Sequence, residues 1–130
     1  MKLLRVYIDS NKPGQRVYQI DDKELAHEVY MDDLDYQRGV SAANEVGMKI
    51  EDIVNIEKRF KYNLGRNLQR IEGVDSLAVI SFPAFDSPKY IVLKKSDIDW
   101  DEVHLQTINV FKQTFGEIEK IEIIEGSLAK

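Results

Sequence analysis

From Val74 to Ile124 the chain reads as strand, turn, strand, helix, strand, with alternation, capping and punctuation in agreement along the whole stretch. Leu77-Ala78-Val79-Ile80-Ser81-Phe82 is almost continuously apolar, the pattern of a strand covered on at least one side. The segment from Pro83 to Pro88 supplies the turn, and Lys89-Tyr90-Ile91-Val92-Leu93 supplies the partner strand. Asp99 and Glu102 have the spacing of a capping box, so a helix starts there. Its apolar side is Val103, Thr107, Ile108, Phe111 and Phe115, and Gly116 ends it. Ile118, Ile121 and Ile123 then mark a final strand with a solvated face, and the tail after Gly126 is expected to fray.

The upstream half supplies the remaining elements. Leu4, Val6 and Ile8 alternate with Leu3, Arg5 and Tyr7, the period of two of a first strand. A turn over Ser10 to Gln15 follows, with Arg16 to Ile20 as a returning strand. The spacing predicts a short helix from Lys23 to Tyr30, started by aspartates, and a second from Asp35 to Val46 that stops at Gly47. Ile50, Ile53, Ile56, Phe60, Leu64, Leu68 and Ile71 recur at intervals of three and four, which predicts one long helix ending at Gly73. Gly65 costs that helix up to about 1 kcal/mol relative to alanine, so close packing against another element is its expected reason.

In chain order, the first strand, the long helix, the central hairpin, the capped helix and the last strand spell an α+β fold, the ferredoxin-like βαββαβ sandwich. Residues 16–48 are then an acidic helical insertion after strand 1, within a single domain over 1–130. Right-handed crossovers place both helices on one face of a four-stranded antiparallel sheet. The other face is left for solvent, a ligand or a second subunit.

Composition bounds the function. The chain is 43% hydrophobic and 32% charged, the profile of a water-soluble globular protein. It has no cysteine, which rules out disulfides, thiolate metal sites and cysteine nucleophiles and fits a reducing compartment, so a cytoplasmic location is expected. No segment approaches the roughly 20 apolar residues of a membrane helix, and the charged start of the chain lacks the pattern of a signal peptide. A net charge of −5 argues against nucleic-acid binding by bulk electrostatics. Tyr7 and Tyr90 lie on strands without the aromatic and glycine pattern of an RNA-binding sheet.

Arg59, Asn63, Arg66 and Arg70 fall at offsets that line one stripe of the predicted long helix, with Lys58 and Lys61 beside them. Between Lys58 and Arg70 there is no acid. Arginines on a rigid helix suit phosphate or carboxylate, so these four are the candidate ligand-binding residues. The competing explanation is that they flank the apolar face, stems over the core edge and heads in water.

The acids Asp21, Asp22, Glu24, Glu28, Asp32, Asp33 and Asp35 carry the oxygen ligands hard cations prefer, but their spacing matches no cation-binding loop. Asp97, Asp99 and Asp101 fail as a calcium loop because Glu102 and Ile108 stand where glycine and glutamate are required. His27 and His104 lack clustered partners, so surface imidazoles are expected and no metal site is assigned. Asp9, ending strand 1, is either a magnesium ligand for phosphodiester cleavage or the opening residue of a turn. Nucleophile elbows, phosphate loops and dinucleotide fingerprints are absent, so no catalytic residue and no cofactor is assigned.

These residues lead to the expectation of a small non-catalytic binding or regulatory protein, homo-oligomeric through the uncovered sheet face. It would recognise an anionic ligand or a protein partner through the arginine stripe. Phe82, Pro83 and Phe85 are a candidate apolar patch for subunit pairing. Two alternatives are a magnesium-dependent phosphodiesterase using Asp9, and an acidic accessory protein that blocks a basic partner surface with Asp32, Asp33 and Asp35.

Overall fold

A computed structural model describes residues 2–81 and 87–126. The hairpin turn, the Phe82–Phe85 patch and the tail after Gly126 expected above fall wholly or largely outside the described residues. The strands are β1 (Leu3–Ile8), β2 (Gln15–Ile20), β3 (Val74–Ile80), β4 (Lys89–Lys94) and β5 (Lys120–Glu125). The helices are α1 (Lys23–Glu45), α2 (Ile56–Arg59), α3 (Leu64–Gln69) and α4 (Trp100–Phe115), with a 3-10 turn at Ile50–Asp52.

The protein is α+β, and its strands form one five-stranded mixed sheet in the order β3-β4-β2-β1-β5. This corrects the ferredoxin-like expectation in two respects. β2 is an internal strand, antiparallel to β1 on one side and to β4 on the other, so residues 16–20 belong to the sheet and not to an insertion. β5 runs parallel to β1, so the sheet is not purely antiparallel. The physical reason is local: a tight turn returns β2 against β1 at once and fills the slot a ferredoxin-like sheet reserves for the later hairpin. Asp9 makes that turn, its carboxylate accepting the Asn11 N–H at 2.9 Å and its carbonyl accepting the Lys12 N–H at 2.9 Å.

Leu4 and Val6 of β1, Tyr18 and Ile20 of β2, and Tyr90 and Val92 of β4 all turn to one side of the sheet. There they meet Ala26 and Val29 of α1, Leu64 and Leu68 of α3, and Val103, Phe111 and Phe115 of α4 in one continuous core. The helices thus share one sheet face, as expected. The opposite face carries Leu3, Arg5, Tyr7, Val17, Gln19, Ile91 and Leu93. Asp99 precedes α4 without a side-chain cap bond, whereas Asp22 does cap α1, accepting the Leu25 N–H.

The upstream helices differ from the periodicity. α1 is one helix of 23 residues where two were expected. The predicted helix over 50–71 is instead broken: Phe60 is extended, and Asn63 has φ 56°, in the left-handed region. The cause lies on α1. The Asp32 carboxylate accepts the N–H groups of Lys61, Tyr62 and Asn63 at 2.9, 3.0 and 2.9 Å. The Asp33 carboxylate accepts that of Gly65 at 2.9 Å. These charge-assisted bonds replace the backbone acceptors a continuous helix would need.

The apolar repeat still holds, but it serves two cores. Leu64, Leu68 and Ile71 enter the main one, while Ile50, Ile56 and Phe60 join Ala43, Tyr36, Val40 and Val54 in a smaller second core against the C-terminal half of α1.

Candidate functional site

The second core is incompletely covered, and a groove opens there. Its floor is Gly39, Ala42 and Ala43 of α1 with Ile50, Val54 and Phe60 of the facing segment, and it encloses about 430 Å³. Gly39 makes the approach close: a Cβ there would lie 2.6 Å from Ile50 Cδ1. Arg38 and Arg59 stand on the rim with Asp35 and Ile53. Arg38 reaches Asp35 at 3.6 Å in an exposed pair, a weak tie in water. Arg59 is exposed, and its guanidinium lies over the Phe60 ring at 5.1 Å.

Ile53 lines this groove, and Val46 and Met48 sit in the turn after α1, their N–H groups donating to the carbonyl of Ala43 on its floor. Val46, Met48 and Ile53 are 68%, 45% and 51% exposed, three of the seven large hydrophobic residues so placed among the described residues. An apolar floor rimmed by two guanidinium groups suits a ligand that is apolar and negatively charged at once.

The four arginine-stripe residues do not share a helical face, because the helix that would have aligned them is broken. Arg59 ends α2 and reaches the groove. Asn63 is buried, its amide donating to the Phe60 carbonyl at 3.0 Å, so it holds the break between α2 and α3. Arg66 pairs with Glu57 at 3.3 Å beside a separate polar cleft lined by Glu51 and Asp52. Three carboxylates around one arginine do not favour an anion there. Arg70 is exposed at the end of α3.

The acidic stretch is mostly engaged in the fold. Asp21 meets Arg5 at 3.4 Å, Asp22 caps α1, and Glu28 accepts the Tyr62 hydroxyl at 3.0 Å. Among the described residues no group of three or more His, Asp or Glu is arranged to hold a metal ion. No helix is long and apolar enough to cross a membrane, again among the described residues.

His27 is exposed, as expected, but His104 corrects the surface-imidazole reading. It is half-buried on α4, with Nδ1 2.8 Å from the Tyr18 hydroxyl. Burial, with the nearby Arg16 charge, holds its pKa below the ordinary imidazole value. Arg16 itself stacks over Trp100 at 4.8 Å, while the Trp100 indole donates to the Pro13 carbonyl at 2.7 Å. These contacts brace the start of α4 against β2.

No protein-family model matches the chain, and no curated protein or solved structure shows significant similarity to it. The pattern of the sequence singles out Arg59 but not Arg38 and Gly39, which enter the site because Ile50, Val54 and Phe60 pack against their stretch of α1. A periodicity read through the acidic run would have joined the two halves of α1.

Proposed function

We propose that this chain is a non-catalytic binding protein that takes an apolar, negatively charged segment of a partner protein into the groove between α1 and residues 50–60. The observation that carries the reading is the meeting of Arg38 and Arg59, together with exposed Ile53, at the rim of an apolar floor. The floor supplies burial and the guanidinium groups select for carboxylate. Arg59 is the stripe residue that keeps its proposed binding role. Arg70 is exposed at the end of α3 and does not line the groove, and Asn63 and Arg66 hold the local structure.

We also propose self-association through the sheet face that bears no helix, motivated by the partly exposed Leu3, Tyr7, Ile91 and Leu93 there, although Val17 and Gln19 at its middle are buried. The absence of cysteine is our reason for placing the protein in the cytoplasm.

The groove is tested with 8-anilinonaphthalene-1-sulfonate, an apolar anion, titrated into isotope-labelled protein. Saturable amide shifts confined to residues 38–43 and 50–60 are expected. Shifts that map instead to the sheet, or that never saturate, would overturn the assignment.

A further inference from the structure

A second cavity, of about 250 Å³, lies between α1, α3 and β3, apart from the groove. Leu34, Leu77 and Val79 give it apolar walls, Gln37 and Gln69 contribute amides, and Asp33 is set into its lining. Asp33 is only 7% exposed. Its carboxylate accepts the Gly65 N–H at 2.9 Å and the Tyr90 hydroxyl at 3.3 Å, which uses two of about four lone-pair directions. Gly65 also lines the cavity, and a Cβ there would stand 3.3 Å from Asp33 Oδ1, so any larger residue would crowd the acid and the space before it.

The two bonds to Gly65 and Tyr90 do not by themselves call for an acid. A neutral asparagine can also accept a backbone N–H at such a position, by a weaker bond, whereas an ionised carboxylate away from water carries a desolvation cost unless a cation meets it. Burial accordingly pushes Asp33 up to about 6. What would offset the cost is a positive group entering from the cavity, since no lysine or arginine among the described residues lines it.

We propose that this cavity binds a small organic cation, a primary ammonium group carried on an apolar body, with the ammonium on Asp33 and the body against Leu34, Leu77 and Val79. A cavity of about 250 Å³ is of the size that takes a small arylalkylamine. Gln37 and Gln69 also line the cavity, and their side-chain carbonyl oxygens supply acceptors for the remaining ammonium protons.

The test uses the full chain and two isosteric probes, 2-phenylethylammonium and the neutral 2-phenylethanol, followed by amide shifts in labelled protein. The ammonium probe is expected to give saturable shifts at residues 33–37, 65–69 and 77–79, binding at least about tenfold more tightly than the alcohol. Asp33→Asn, which keeps an acceptor for Gly65, is expected to remove that preference. Equal binding of the two probes to the wild-type chain would overturn the proposal even if the variant failed to fold. So would an absence of saturable shifts with the ammonium, or a preference that survives in Asp33→Asn.

Discussion

The Asp33 carboxylate and the Gly65 backbone N–H meet at 2.9 Å, joining the middle of α1 to the first turn of α3. Together with Asp32 this contact decides where the chain breaks after α2. It also explains Gly65, whose missing side chain leaves room for the carboxylate.

Burial gives Asp33 a pH signature. Its carboxyl is raised from 3.8 to about 6, first by desolvation, and the bonds from Gly65 and Tyr90 only partly oppose this. Between about pH 4 and pH 6 the folded chain holds a proton that the unfolded chain has released, so this residue's contribution to stability falls as pH rises through that window. The loss is on the order of 3 kcal/mol when complete. Asp33→Asn should remove that component of the slope, raising stability at pH 7 relative to wild type. Urea midpoints at pH 4, 5, 6 and 7 check this, and parallel pH profiles for the two proteins would refute it.

Asp32→Ala removes the acceptor for three consecutive N–H groups and should destabilise the fold by about 3 kcal/mol. Hydrogen exchange at Lys61, Tyr62 and Asn63 should accelerate more than elsewhere. Asp35→Ala, which loses only the exposed pair with Arg38, should cost less than about 0.5 kcal/mol. Similar losses for both variants would contradict the account.

Tyr18→Phe leaves His104 Nδ1 without its 2.8 Å partner and should cost about 1 kcal/mol. In the folded chain the His104 imidazole should titrate below its ordinary 6.5, which nuclear magnetic resonance can follow directly. The sign is fixed by linkage: His104 contributes stability that is present above pH 6.5 and lost as pH falls through the lower folded value. A midpoint above 6.5 would refute the placement.

Gly73 adopts φ +96°, and a Cβ there would stand 2.8 Å from Val103 Cγ2 and 3.0 Å from Ile98 Cγ2. Gly73→Ala should therefore cost at least about 2 kcal/mol, from strain and crowding together. Gly14, with nothing within 4 Å of its Cβ position and no positive φ, is the control, and Gly14→Ala should stay within about 0.5 kcal/mol. Equal thermal shifts would show that the crowding is relieved at no cost.

Strands β1 and β4 and helix α4 were legible because each writes its burial into a local period; β3 showed as an apolar run, and β5 as alternating isoleucines, although Ile121 and Ile123 are 39% and 49% exposed in it. β2 was legible as a strand, but its place was not, because Arg16 to Ile20 says nothing about which neighbour it will separate. The break after α2 was hidden for a different reason. Its apolar repeat is compatible with one helix, and what interrupts it is a pair of carboxylates about thirty residues earlier in the chain. The same long-range capping dispersed the arginine stripe and left only Arg59 at the groove, while Arg38, just past the acids, had no basic neighbour in sequence to mark it. Asp33 looked like one more surface charge until α1, α3 and β3 closed around it.

The groove is tested most directly by the dissociation constant of 8-anilinonaphthalene-1-sulfonate for the wild-type chain and for the double variant Arg38→Glu/Arg59→Glu, with Arg70→Glu as the control. The double reversal should weaken binding by at least about tenfold with the circular dichroism spectrum unchanged, and the control by less than about twofold. Constants for the double variant that match the wild type would contradict the proposal that these two arginines and the apolar floor form one binding site.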